Sequence, residues 1–285
     1  MKKVLKRVLV IFLILAVICA VDIWISYNVL TVSNFKVTSN KITASFRIVL
    51  ISDLHDHQFG SDNEKLVEKI QEQYPDIIIL DGDMINADSE NDDVAVKLVC
   101  SLNGIAPVYY SYGNHEYGYI EAGHDSLRKD LEAAGAVVLN YRNIDIEVNG
   151  NSIRLGGLYE YGFEAGMQSE EENERAHSYL EEYADTERYL IMCAHRPDSF
   201  YPWNTADNWG LDLVLSGHLH GGQMIIPGVG GLYSQLEEFF PTYDYGQYKL
   251  GDSDMIITRG LGSNPKILPR FNNPPEIVVV NLNPE

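Results

Sequence analysis

Seven side chains of metal-binding type stand in five short clusters. They are Asp53 and His55 in SDLHDH (52–57), Asp83 in DGDM (81–84), Asn114 in GNHE (113–116), His195 in AHRPD (194–198), and His218 and His220 in SGHLHGGQ (216–223). Carboxylate and amide oxygens mixed with imidazoles suit borderline divalent ions such as Mn, Fe or Zn. Seven ligands are too many for one tetrahedral site. They suffice for two ions of five or six coordination once water is added, with Asp83 the candidate bridge. Two such ions roughly 3.5–4 Å apart can activate a water and clamp a phosphoryl group. His218 and His220, one residue apart, are expected at an extended strand end, where alternate side chains point the same way. Gly217, Gly221 and Gly222 would let the backbone turn tightly and approach the ions.

The clusters need elements to carry them. Short runs rich in β-branched residues predict strands over 46–52, 76–80 and 106–112. Periodic apolar positions predict helices over 62–74, 92–103 and 124–135, the last stopping at Gly135. Strands follow over 137–139, 144–148 and 153–158, then an acidic helix over 170–185. Strands over 188–195, 211–218, 254–260 and 276–282 complete the set. The first half alternates strand and helix, the signature of an α/β fold with a mostly parallel sheet. The strand-rich second half suggests a second sheet. Each cluster follows a strand, and open α/β sheets bind ligands at the carboxyl ends of their strands. Residues 46–285 read as one catalytic domain.

Bulk properties narrow the function. The 285 residues carry a formal net charge of −20, which disfavours a nucleic-acid partner. An anionic substrate would then need strong local positive charge, such as metal ions. MKKVLKR is basic, and the run from Val8 to Val21 is free of charge. Asp22 interrupts, and the apolar character resumes to Leu30. Residues 1–30 are long enough for a signal-anchor helix across a bilayer, with Asp22 and Trp24 near the outer interface. The basic flank places the N-terminus in the cytoplasm and the remainder outside. Cleavage and secretion is the alternative, with Ile18-Cys19-Ala20 a mediocre cleavage site. Residues 31–45 read as a polar connector. Cys100 and Cys193 read as buried small hydrophobes; a disulfide between them is not needed.

In their order, DLH, GDM, GNHE, AHRPD and GHLHGGQ resemble the five blocks of the calcineurin-like metallophosphoesterases, from about residue 46 to the C-terminus. GHLHGGQ, TRGLG (258–262) and PPEIVVVNL (274–282) resemble one bacterial branch, membrane-anchored or exported. Some of that branch act on phosphodiesters or lipid-linked pyrophosphates. The resemblance implies a four-layer α-β-β-α sandwich of two mixed β-sheets flanked by helices. It implies that Asp53, His55, Asp83 and His220 hold one divalent ion. Asp83, Asn114, His195 and His218 would hold the other, with Asp83 bridging. His115 would be no ligand but would protonate the leaving oxygen while a metal-bridging hydroxide attacks phosphorus in line. Leu219, where this branch often has Thr, should point away from the metals.

Other residues have plainer readings. Arg196 and Arg259 are candidates for substrate phosphate, or form structural salt bridges. His57, His124 and His177 read as non-catalytic. The aromatic stretch 232–248 could form a hydrophobic wall, a membrane-facing lip, or core. Glu170–Glu174 reads as a solvated helix start. The favoured function is hydrolysis of a phosphodiester or related phosphoester, lipid-linked or from the cell envelope. The alternatives are a phosphomonoesterase or pyrophosphatase on a soluble substrate, and a non-catalytic metal-binding scaffold. Oligomeric state is not legible.

Overall fold

The computed structural model describes residues 2–158, 169–201, 205–234, 237–263 and 268–285. Helix α1 (Lys2–Asn28) leads into β1 (Thr31–Ser39) and β2 (Phe46–Ile51). Then come α2 (Glu64–Gln71), β3 (Ile77–Asp81), α3 (Asp93–Asn103), β4 (Val108–Ser111), α4 (Asn114–Glu121), α5 (Leu127–Ala133) and β5 (Ala136–Val138). The second half holds β6 (Arg142–Val148), β7 (Asn151–Gly157), α6 (Glu170–Ala184), β8 (Tyr189–Cys193), the short α7 (Thr205–Asn208) and β9 (Leu213–Ser216). Two small hairpins follow: β10 (Ile225–Ile226) with β11 (Gly230–Gly231), and β12 (Tyr233–Ser234) with β13 (Glu238–Phe239). Strands β14 (Gly246–Leu250), β15 (Ser253–Ile257) and β16 (Glu276–Pro284) end the chain.

Two six-stranded sheets result, ordered β1-β16-β2-β3-β4-β5 and β14-β15-β9-β8-β7-β6. Both are mixed. In the first, β2 to β5 run parallel and β16 pairs antiparallel with β2. In the second, β15, β9, β8 and β7 run parallel between antiparallel edges. Strands such as β3, IIILD, are buried throughout because both faces are covered. Ile48, Leu50 and Ile79 of the first sheet share one core with Leu155, Ile191 and Leu215 of the second. The outer face of the first sheet packs on Leu66, Ile70, Leu98 and Leu131 of its helices. The outer face of the second packs on Ala176, Tyr179 and Leu180 of α6. This is the α-β-β-α sandwich that was expected.

Three local expectations are corrected. Residues 31–39, read within a connector, form β1, which pairs parallel with β16 from Thr31↔Glu276 to Ser39↔Pro284. An edge strand needs little apolar surface: Val32 packs on the outer core, while Phe35 and Val37 face the inter-sheet core. Helix α4 was not anticipated, because its sequence NHEYGYIE has no apolar stripe. Cys100 is exposed, whereas Cys193 is buried. The buried stripe of α3 is Ala95, Leu98, Val99 and Leu102, and position 100 lies off it.

Helix α1 is long and apolar enough to cross a membrane, a property that signal sequences share. Its last turns are not free. Asp22 Oδ2 accepts the Asn272 N–H at 2.6 Å, and Ser26 Oγ accepts the Asn273 N–H at 3.1 Å. The Tyr27 hydroxyl accepts the Arg270 N–H at 3.2 Å. The charge that interrupts the apolar run thus has a backbone partner in the folded domain.

Candidate metal centre

Parallel strands of both sheets bring their carboxyl ends to one edge. Strands β2 and β3 end just before Asp53 and Asp83, and β4 ends just before Asn114 at the start of α4. Strands β8 and β9 end just before His195 and the His218–His220 turn. The first two loops are tied together: Asp53 N–H donates to Gly82 O, His55 N–H to Asp83 O and Asp56 N–H to Met84 O, at 3.0, 3.0 and 3.1 Å. Across the sheets, the His195 imidazole meets Asp81 O at 2.6 Å through Nδ1. Glycine makes the closest approaches possible. A Cβ on Gly113 would collide with Asp83 Oδ1, and one on Gly217 with Asp53 Oδ2.

Six of the seven predicted ligands, Asp53, His55, Asp83, His195, His218 and His220, meet in one nest, and Asn114 follows the end of β4. Asp83 Oδ2 lies 3.1 Å from His195 Nε2 and 3.9 Å from both His55 Nε2 and His115 Nε2. Asp53 Oδ1 lies 3.6 Å from His220 Nε2, 3.8 Å from His195 Nε2 and 4.0 Å from His55 Nε2. Neighbouring ligands around an ion bound at about 2.1 Å lie roughly 3 Å or more apart, so this spacing fits divalent ions. Three groups can offer converging donors: Asp53, His55 and His220; Asp83, His195 and His218; and His55, Asp83 and His115. His55 Nε2, His220 Nδ1 and Asn114 Oδ1 are buried without a hydrogen-bond partner, and His195 Nε2 has Asp83 Oδ2 at 3.1 Å. Unpaired buried polar atoms are costly, and a cation between Asp53 and Asp83 would satisfy the His55 Nε2 that faces both.

Neighbours orient the imidazoles. His55 Nδ1 meets Asn86 Oδ1 at 3.1 Å, which leaves the Nε2 lone pair for an ion. His115 Nδ1 accepts the Ala87 N–H at 3.0 Å, so the neutral ring carries its proton on Nε2, the atom facing Asp83. Electrostatics follow burial. Desolvation pushes the His55 imidazole down to about 4 and that of His218 to about 3, the latter helped by His195. Burial also lowers His220. All three are therefore neutral, the form that binds metal. Burial would raise Asp83, but His195, His55 and His115 hold it well below the carboxylate range. Burial would lower His195, but Asp83, Asp53 and Asp81 raise it well above its ordinary value.

The backbone here departs from the expected strand end. Strand β9 stops at Ser216, and His218 and His220 have φ of 69° and 48°. Asp53, His55 and Asp83 also lie at positive φ, 54°, 50° and 53°. Such conformations cost non-glycine residues about 1–3 kcal/mol each and concentrate at functional sites. His218 and His220 join different ligand groups, so they address the one nest together, though from a left-handed turn and not from an extended strand end. Gly221 and Gly222 turn left-handed, as the tight turn requires. Leu219 packs into the outer core of the second sheet, away from the nest.

Arg196 forms a forked pair with Asp198 at 3.1 and 2.6 Å. Arg259 pairs with Glu276 at 2.9 Å. His57 packs on Phe59, His124 stacks on Tyr119 and His177 meets Trp209, none within the nest. Of the stretch 232–248, residues 235–236 lie outside the described residues. The sequence reading missed three supports. Glu116 accepts the N–H groups of Asp83, Met84 and Gly113, each at 2.8 Å, and the Tyr110 hydroxyl at 2.7 Å. Its signal is present, a glutamate three residues into a helix start. Asn86 and Asn273 carry no such signal. Asn273 Nδ2 donates to His220 O at 2.7 Å and Gln223 O at 3.1 Å.

Comparison with known proteins agrees with this geometry. The profile of the calcineurin-like phosphoesterases matches residues 46–222, and the chain belongs to that family. The metallophosphoesterase YkuE of Bacillus subtilis is 30% identical over 244 residues, 83% of this chain and 79% of that protein. The phosphodiesterase YaeI of Escherichia coli is 28% identical over 251 residues, 84% of this chain and 83% of that protein. The crystal structure of TT1561 of Thermus thermophilus shares the fold, with TM-score 0.50, 14% identity, and coverage of 76% of this chain and 91% of that one. The protein is accordingly a hydrolase acting on phosphoester bonds, with an Asp/His cluster that fits divalent metal ions.

Proposed function

We propose that the protein is a binuclear metallophosphodiesterase held at the extracytoplasmic face of a membrane. The observation that carries this is the place of Asp83. Its Oδ2 lies within 4 Å of imidazoles from both ligand groups, His55 and His195. In this reading Asp53, His55, Asp83 and His220 hold one ion and Asp83, Asn114, His195 and His218 the other. Two divalent ions, Mn, Fe or Zn, would polarise a water and neutralise charge at phosphorus. His115 contributes the proton: its Nε2–H faces the nest and is positioned to reach the leaving oxygen. Arg196 and Arg259 serve as scaffold, each committed to a carboxylate.

The phosphodiesterase name of one relative supports a diester. The backbone contacts of Asp22, Ser26 and Tyr27 support retention of α1 as an anchor over its cleavage. The basic residues ahead of the apolar run support an outside module, where lipid-linked or cell-envelope phosphodiesters lie. The test is to purify the full chain, strip it, and reload Mn, Fe or Zn. Hydrolysis of bis(p-nitrophenyl) phosphate should then exceed that of p-nitrophenyl phosphate. Activity indifferent to chelator rejects the metal mechanism; a preference for the monoester rejects the diester assignment.

A further inference from the structure

We propose that the hairpins β10–β11 and β12–β13 form an apolar lip that dips into the bilayer beside α1. This rests on α1 being a retained anchor. Beyond α1, the described large apolar side chains that are exposed are Val29, Tyr74, Ile226, Val229, Phe239 and Phe240. Four of these six lie on the two hairpins, and Val29 directly follows α1. Val229 and Phe239 are 64% and 63% exposed, far above core values.

A continuous hydrogen-bond ladder joins the hairpins to the helix. Asn272 N–H donates to Asp22, Ile225 N–H to Phe271 O, Leu232 N–H to Met224 O and Phe240 N–H to Leu232 O. The lip therefore sits level with the last turns of α1. With Asp22 near the outer interface, the hairpins tied to its turn lie at that interface, and dipping their tips covers Val229, Phe239 and Phe240. No lysine or arginine occurs between His220 and Lys249, and the charged residues there are Glu237, Glu238 and Asp244, so the contact is made by Val229, Phe239 and Phe240 with the carboxylates left at the interface, not by pairing with anionic headgroups. The same segment continues directly from the HLHGGQ turn of the metal nest.

The test uses the full chain in phosphatidylcholine nanodiscs, with Cys19→Ser and Cys100→Ser as background. Nitroxides are attached at Val229→Cys, at Phe239→Cys and, as control, at Tyr74→Cys. Their collisions with dissolved oxygen and with an aqueous nickel chelate report depth. Positions 229 and 239 should lie roughly 5–10 Å below the phosphate level, unchanged by salt, with position 74 in water. Nitroxides in water at 229 and 239, in protein that resists carbonate extraction, overturn the lip alone. Protein that carbonate extracts overturns the anchor and the lip together. Labels shielded from both relaxants in a dimeric particle assign the patch to a second copy and overturn the lip.

Discussion

Glu116 Oε2 accepts the backbone N–H of Asp83 at 2.8 Å, so a carboxylate outside the ligand set fixes the residue at the centre of it. Glu116 also binds Met84, Gly113 and the Tyr110 hydroxyl, and burial raises it above the ordinary carboxyl range. Glu116→Gln turns one acceptor into a donor facing N–H groups. Stability should fall by about 1–3 kcal/mol, read by denaturant titration. Metal affinity should fall by roughly 10–100-fold, read by competition with a chromophoric chelator. Unchanged affinity in a folded variant would remove Glu116 from the support of the site.

Asp83→Asn tests the bridge. It keeps the shape and removes the charge that faces His195 and His55. Bound metal, measured by elemental analysis, should drop below the wild-type content. Turnover should fall by more than the roughly 10–100-fold expected from losing a mere outer partner. Full metal content would show that Asp83 bridges nothing.

His115→Gln separates proton transfer from metal binding. The metals should stay, while kcat falls by roughly 10²–10⁴-fold. The loss should be smaller with p-nitrophenol as leaving group than with an alcohol, since phenolate departs with less help. If the variant loses its metals, His115 is a ligand and the role given to it here is wrong.

Chelation should destabilise the protein as well as silence it. Without cations the nest keeps Asp53 and Asp83 buried together, with unpaired imidazole nitrogens around them. Ligand binding to the native state adds about 2.7 kcal/mol at a hundredfold excess over Kd. Tm should therefore fall in chelator and recover with added Mn, Fe or Zn in scanning calorimetry. A Tm that ignores both additions would argue against a cation in the nest.

Asn273→Ala should loosen the His220 turn. It removes the side-chain donor that ties His220 O to Gln223 O, while each carbonyl keeps one backbone N–H, from Gln223 and Phe271 respectively. A cost of about 0.5–1.5 kcal/mol is expected, along with weakened metal retention. Retention equal to wild type would show that the turn holds itself.

Much of this was legible in the residues. Side-chain type marks a candidate ligand wherever the chain goes, so Asp53, His55, Asp83, Asn114, His195, His218 and His220 were all visible, and the Asp and His side chains among them converge. Continuous apolar runs marked β2 and β3, since a strand covered on both faces has no room for polar residues. Strand β1 was hidden because an edge strand needs so little burial that TVSNFKVTS reads as a linker. Glu116 showed only its helix-start signal, because its bonds to Asp83 and Met84 come from a loop more than thirty residues away in the chain. The extended backbone expected at His218 and His220 was misjudged because positive φ is set by where a loop must go, not by its local preference.

By itself the sequence determined which atoms could meet a metal ion, how the α/β elements alternate, and that an apolar helix precedes them. Only the tertiary structure decided which imidazole faces which carboxylate, and where α1 docks on the 270–273 loop. The reason is physical: ligand chemistry and hydrophobic pattern are properties of single residues and their near neighbours. Ångström distances between loops instead depend on sheet register and on hydrogen bonds spanning a hundred residues or more, as between His195 and Asp81, 114 positions apart.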